Sequence, residues 1–174
     1  MSEHKEGQAA PDEACKQLQE SKKTLLLSTL SAEGFPEISY APYVKDKQGS
    51  FYIFISELAA HTQSLLVNNE CSVMFITDEE QSQNIFARER LIYSCLSEQV
   101  DNQDDAYQSM LDDLEGKFGN VVGMLRSLPD FHLFRLKPQQ GRYVVGFGKA
   151  YVVDASSGLL EHINEKTLKE SKPD

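Results

Sequence analysis

The sequence predicts an antiparallel β-barrel, closed or split, with helices inserted between its strands. Three observations carry that class. Short runs rich in β-branched and aromatic residues recur along the chain, separated by turn-forming clusters. The connections between the early runs are too short for parallel crossovers. One run, Phe51-Tyr52-Ile53-Phe54-Ile55-Ser56, is apolar on both faces, as a barrel wall packed on two sides requires.

Each element has its own signal. Pro11-Asp12-Glu13 opens a helix to about Ser21, with proline and acidic residues in its first turn. Thr24 to Leu30 is a strand, Ala32-Glu33-Gly34 a turn, and Glu37 to Val44 the returning strand. Lys45 to Gly49 turns into the third strand, Phe51 to Ser56. Residues 58–67 switch to helical spacing through Leu58, Thr62, Leu65 and Leu66. Cys71 to Ile76 is a fourth strand, 77–84 a polar loop, and Leu91 to Leu96 a fifth strand that begins near Arg88. Ala106, Tyr107, Met110, Leu111, Leu114 and Phe118 form one stripe of a helix over 103–118. Gly119 breaks it; a short helix follows with Val121, Val122, Leu125 and Leu128 inward, and Pro129 ends it. Phe131 to Leu136 is the sixth strand. Gln139-Gln140-Gly141 reads as a turn into Arg142 to Val145, Gly146-Phe147-Gly148 as a bend, and Tyr151 to Val153 as the last strand.

The 174 residues fit one domain spanning 1–174, with mobile tails expected at 1–10 and 164–174. A chain of this length buries roughly 70% of its unfolded surface and needs no disulfide or metal to fold. The formal net charge is −10, and lysines and arginines are nowhere clustered. That excludes a phosphate-backbone grip on nucleic acid and attraction to an anionic membrane. A small anionic ligand needs only two or three local arginines and stays open. Three cysteines, Cys15, Cys71 and Cys95, show no C-x-x-C spacing. With a polar N-terminus, they point to a reducing, cytoplasmic setting.

Few residues promise chemistry. Arg88 and Arg90 share a face if their segment is extended, and two adjacent guanidiniums suit a phosphate or carboxylate between them. The alternative is a pair of surface arginines matched to Glu79, Glu80 or Glu89. Asp130 and His132 are likewise two apart: either the carboxylate orients the imidazole, or Asp130 is a turn residue beside a packed histidine. His61 lies near a helix start, where a donor joins an anion site or simply meets water. His4 and His162 have no partner at metal-ligand spacing, so no structural metal is expected.

Taken in order, several segments resemble a known family. Thr24 to Leu30, then Gly34, Pro36 and Ser39-Tyr40-Ala41-Pro42, look like the opening of the pyridoxamine-phosphate-oxidase-like, FMN-binding (flavin-reductase-like) split barrels. Phe86-Ala87-Arg88-Glu89-Arg90-Leu91, Phe118-Gly119, Asp130 to Leu136 and Gly146 to Tyr151 resemble the haem iron-utilisation branch, the HugZ/HutZ type. The resemblance covers roughly residues 20–153. It implies a homodimer whose barrels share an interface holding haem, which members degrade with oxygen; the wider class binds FMN as an oxidoreductase cofactor. It makes Asp130 and Arg90 candidate catalytic residues, and Ser56, His61, Gln63, Arg88, Arg90 and His132 candidate cofactor contacts. The branch's C-terminal Gly-His-Arg segment, which holds the iron ligand, is absent. Thr167 or Leu168 takes that place, leaving His162 as the nearby candidate for haem iron. The arginines that flank the family's helix histidine are also missing beside His61, which weakens flavin and haem contacts alike. Three functions follow as expectations: haem binding with oxidative degradation, an FMN-dependent oxidoreductase, or a non-catalytic binding protein.

Overall fold

The computed structural model describes residues 10–163. The tails expected to be mobile lie outside the described residues, apart from Ala10, and so do Thr167 and Leu168.

Helix α1, Pro11–Ser21, turns Cys15 and Leu18 into the core. Its end is tied down by Tyr43, whose hydroxyl donates to the Gln19 carbonyl at 2.8 Å. Strand β1 (Thr24–Leu30) pairs antiparallel with β2 (Pro36–Pro42) around Gly34, whose φ of +76° makes the tight turn cheap. Strands β3 (Val44–Lys45) and β4 (Phe51–Ser56) follow, then helix α2 (Ala60–Val67), β5 (Glu70–Ile76) and β6 (Arg90–Gln99). Helices α3 (Asp105–Phe118) and α4 (Asn120–Arg126) precede β7 (Phe131–Gly146), β8 (Lys149–Val153) and β9 (Leu160–His162). The strands form one curled antiparallel sheet in the order β2-β1-β5-β6-β7-β4-β3, with β8 and β9 branching from β7. The result is a split barrel with four helices among the described residues.

The split happens within β7. On one edge β7 follows β6 for most of its length. On its other edge, Phe131 to Leu136 pair with β4, and Gly141 to Gly146 pair with β8. Pro138 sits where the second partner changes, opposite Cys95 at a register shift. A residue without an N–H costs the ladder least at such a point.

The turn expected at Gln139-Gln140-Gly141 is therefore absent; two expected strands are one strand of 16 residues. Gly141 marks crowding instead of a turn. A Cβ there would stand 2.6 Å from the Tyr93 ring and 2.8 Å from the Val153 side chain, inside the barrel. Three other details differ. Helix α2 starts at Ala60, and Leu58, expected on its inner stripe, is exposed. In α4 only Val122 is buried, while Val121 and Leu128 face out. Strand β9 went unforeseen, because three residues carry no readable alternation.

Packing follows the strand period. Leu25, Leu27, Phe51, Ile53, Val73, Phe75, Leu91, Tyr93, Leu136 and Tyr143 fill the barrel. A second cluster lies outside its wall, where α3 and α4 lay Leu111, Leu114 and Val122 over Val44, Tyr52 and Leu133. That second layer is why β4 is apolar on both faces. Adding one methyl at Gly141 tests the packing of the fork: Gly141→Ala should lower unfolding free energy by roughly 1–3 kcal/mol in urea denaturation, with the secondary structure seen by circular dichroism retained.

Candidate functional site

The candidate residues fall into two groups at opposite ends of β7. The first surrounds the junction of β4 and β7. Ser56 donates its hydroxyl proton to Asp130 Oδ2 at 2.6 Å and accepts the Leu58 N–H at 3.1 Å. Because the Ser56 oxygen is already an acceptor, its proton points at Asp130. The Asp130 carbonyl in turn accepts the Glu57 N–H at 2.8 Å. Asp130 occupies the turn before the strand, and it does not touch His132 through a hydrogen bond; His132 binds the next residue along, Glu57, through Nε2 at 2.5 Å. The Gln99 side-chain nitrogen meets His132 Nδ1 at 3.0 Å. An amide NH₂ can only donate, so Nδ1 accepts and Nε2 carries the proton toward Glu57. Glu57 and Gln99 are partners that strand pairing alone brings to His132; nothing in their local sequence announces them.

Helix α2 sits beside this group. Gln63 turns its amide back to the Glu57 carbonyl at 2.7 Å, closing the helix start. His61 is half-buried, and burial pushes its basicity below the ordinary 6.5, with the Glu37 carboxylate pulling the other way. Glu37 itself accepts the Ser64 hydroxyl at 2.7 Å.

The second group lies where β6 begins and β7 ends. The strand starts at Arg90, so Arg88 lies outside the ladder. Arg88 follows a short 3₁₀ turn, Ile85–Ala87, and reaches back to the Thr77 carbonyl through Nε and Nη2 at 3.1 and 2.6 Å. It also touches Glu79 at 3.3 Å. Arg88 thus takes the alternative of a surface arginine matched to Glu79, and Arg90 has a different neighbour. Arg90 faces the outside of the sheet opposite Val144, and Arg142, two residues before Val144, faces the same way opposite Ile92. Diagonal neighbours on one face of antiparallel strands are within reach of long side chains. Neither arginine has a carboxylate partner among the described residues. Arg90 donates to the Arg88 carbonyl at 3.1 Å and keeps its other N–H groups available.

His162 belongs to this end. Its Nε2 meets the Gly148 carbonyl at 3.1 Å, and its ring stands edge-on to Tyr151 at 5.2 Å. A carbonyl only accepts, so Nε2 is the donor, and Nδ1 makes no hydrogen bond among the described residues. A cleft of about 680 Å³ opens alongside, lined by Thr77, Arg88, Tyr143, Phe147, Lys149 and Tyr151 among others. Tyr143 donates to Glu89 at its inner end; burial and that carboxylate push the phenol up. Phe147, in its lining, is 70% exposed, and Phe86, next to the lining residue Ala87, is 87% exposed. Between the two groups, Tyr40, Leu26, Met74 and Ile92 stand side by side across the outer face of β2, β1, β5 and β6.

The sequence model of the pyridoxamine 5'-phosphate oxidase family matches residues 11–145. The chain belongs to the pyridoxamine 5'-phosphate oxidase family. Within it, the chain is of the HutZ type. It is 37% identical over 151 residues to a Vibrio cholerae protein named haem oxygenase HutZ, spanning 87% of this chain and 84% of that one. The crystal structure of Vibrio cholerae HutZ, described there as a haem storage protein, superposes with a TM-score of 0.74 at 32% identity, over 79% of this chain and 97% of that one. Campylobacter jejuni ChuZ superposes with a TM-score of 0.78 at 30% identity, over 92% of this chain and 65% of the longer ChuZ chain. No helix among the described residues is long and apolar enough to cross a membrane.

The depressed basicity of His61 has a consequence for this family member's stability. Below 6.5 the unfolded chain binds a proton that the folded chain takes up only at lower pH, so acidification costs stability at this residue. Between about pH 7 and about pH 5, the urea midpoint should fall further in the unsubstituted protein than in His61→Gln. Equal falls would show that His61 titrates alike folded and unfolded.

Proposed function

We propose that this chain binds haem between two copies of itself, in a site taking Asp130 from one copy and Arg90 from the other. One observation carries the composite site. Arg90 lies opposite Val144, fourteen residues along β7 from Asp130. At roughly 3.3 Å per residue that is on the order of 40 Å of strand, more than one haem spans. A second copy packed on the apolar outer face brings the opposite ends together, and a two-fold axis makes two such sites. The ligand class rests on the relatives. Vibrio HutZ carries one name for haem degradation and another for haem storage, and haem binding is common to both.

The residues fit such a ligand. Haem offers a flat apolar body, two carboxylates and an iron that takes a neutral imidazole. Arg90 and Arg142 present guanidinium donors that no described carboxylate occupies. Exposed Phe86 and Phe147 at one end, and Leu58 and Leu128 at the other, offer apolar surface. His132 has both nitrogens engaged, whereas His162, the described histidine nearest the C-terminal segment, hydrogen-bonds through Nε2 and has no partner at Nδ1 among the described residues. His162 is accordingly the candidate iron ligand, with Asp130, held by Ser56, supplying a fixed acceptor from the other copy. Bound haem would supply the oxygen-activating centre for its own oxidative degradation. Flavin is the less favoured ligand: beside α2 only His61 remains for a phosphate, since Gln63 is spent on Glu57 and no arginine flanks it. A cytoplasmic setting accords with three unpaired buried cysteines.

Optical titration with haemin tests this reading, with FMN titrated in parallel. Haemin should give a saturable Soret band, which His162→Ala shifts and weakens. Arg90→Ala and Asp130→Asn should each weaken binding roughly 10- to 100-fold, the cost of one charge-assisted hydrogen bond. Light scattering should give twice the 19.6 kDa chain mass. Mixing the two variants after unfolding and refolding should restore tight binding at about a quarter of the sites; a site built within one chain restores none. Saturation by FMN alone would overturn the haem reading.

A further inference from the structure

Cys71 and Cys95 are directly opposed on the neighbouring strands β5 and β6. Both side chains point into the barrel and both are buried, with Cys71 at 8% exposure and Cys95 at 3%. Opposed residues of an antiparallel pair have Cα atoms roughly 4.5–5.5 Å apart, inside the range a disulfide spans. Their neighbours matter as well. Cys95, opposite Pro138, immediately follows the register shift in the β6–β7 ladder, where the sheet can adjust its twist. The third cysteine, Cys15, is buried on α1, outside this strand pair.

We propose that Cys71 and Cys95 are a modification site: hydrogen peroxide converts this dithiol into an intramolecular disulfide. The more exposed Cys71 reacts first. Its thiolate takes one peroxide oxygen to become a sulfenic acid, and the other leaves as water once protonated. The Cys95 sulfur then displaces the sulfenic hydroxyl, which departs as a second water with the Cys95 proton. Two thiols and one peroxide give one disulfide and two waters. A hydrogen bond to Cys71, and then burial, push the Cys95 thiol well above the ordinary thiol range. The reaction is therefore slow at neutral pH and accelerates as pH rises. It answers a sustained peroxide load, and thiol reductants reverse it.

The full chain is exposed to hydrogen peroxide, quenched, unfolded, alkylated with N-ethylmaleimide, weighed and mapped by peptide mass spectrometry. Alkylated thiols should fall from three to one, the remaining label lying on Cys15, with a peptide pair joined through Cys71 and Cys95. Dithiothreitol should restore three labels. Cys15→Ser should still form the bond and keep no label. Three labels after prolonged exposure, two separate sulfinic acids at Cys71 and Cys95, or a bond that includes Cys15 or a second chain would each overturn the proposal. Mapping uses the unsubstituted protein, so the result stands even if Cys71→Ser fails to fold.

Discussion

One strand serves two branches of the sheet in this protein, and the remainder of the fold is arranged around that fact. Strand β7 holds β6 along one edge and divides the other between β4 and β8. Every backbone group along such a strand still needs a partner, so the exchange has to occur at one point without an orphaned donor. Pro138 removes a donor there, and Gly141 lets Tyr93 and Val153 close over the strand just beyond. The barrel interior and the α3–α4 layer are both consequences. The half of β7 paired with β4 is covered outside by Leu111 and Leu114, and the half paired with β8 closes over Tyr143 and Val153.

The same strand sets the scale of the candidate site. Its two ends carry different chemistry: a carboxylate, a locked imidazole and an amide at the start, guanidiniums and a second imidazole at the end. A single rigid ladder keeps them apart. Flexing does not close a distance of this order in a strand hydrogen-bonded along both edges. In the proposed dimer association would, because a two-fold axis turns an end-to-end separation into an end-to-end contact. The apolar row Tyr40–Leu26–Met74–Ile92 lies between the two ends, where such an axis would pass.

What could be read from the sequence was what depends on neighbours along the chain. Runs of strand-forming residues gave the strands that carry Leu25 and Leu27, or Cys71, Val73 and Phe75, without knowledge of any partner strand. Periodicity gave the α3 stripe, and Asp104 caps that helix by accepting the Ala106 N–H at 2.8 Å. What could not be read was what depends on register. Gly141 signals a turn in a local reading and a packing contact in the folded one, because Tyr93 is remote in sequence. The diagonal placement of Arg90 and Arg142, and the hydrogen bond of His132 to Glu57, need strands aligned to the residue. A two-residue spacing, the only rule available for Arg88 and Arg90, fails where the strand begins two residues late.

Charge shows the same division between total and local. A formal net charge of −10 says that the chain as a whole repels anions. Yet Arg88, Arg126 and Arg135 each hold a carboxylate, from Glu79, from Asp112 and Glu115, and from Glu98 and Asp104 respectively. Those acids are spent on their own partners. On the outer face of β6 and β7, Arg90 and Arg142 hold none of these acids; the carboxylate residue of their own row, Glu161, lies two strands from Arg142, beyond Val152. What an anion meets there is Arg90 and Arg142, beside apolar side chains that lower the local dielectric and strengthen each contact. Composition excluded the large polyanions, whose many phosphates sample the whole surface. It had no power over a small one, whose entire environment is set by two side chains and the strand register that makes them neighbours.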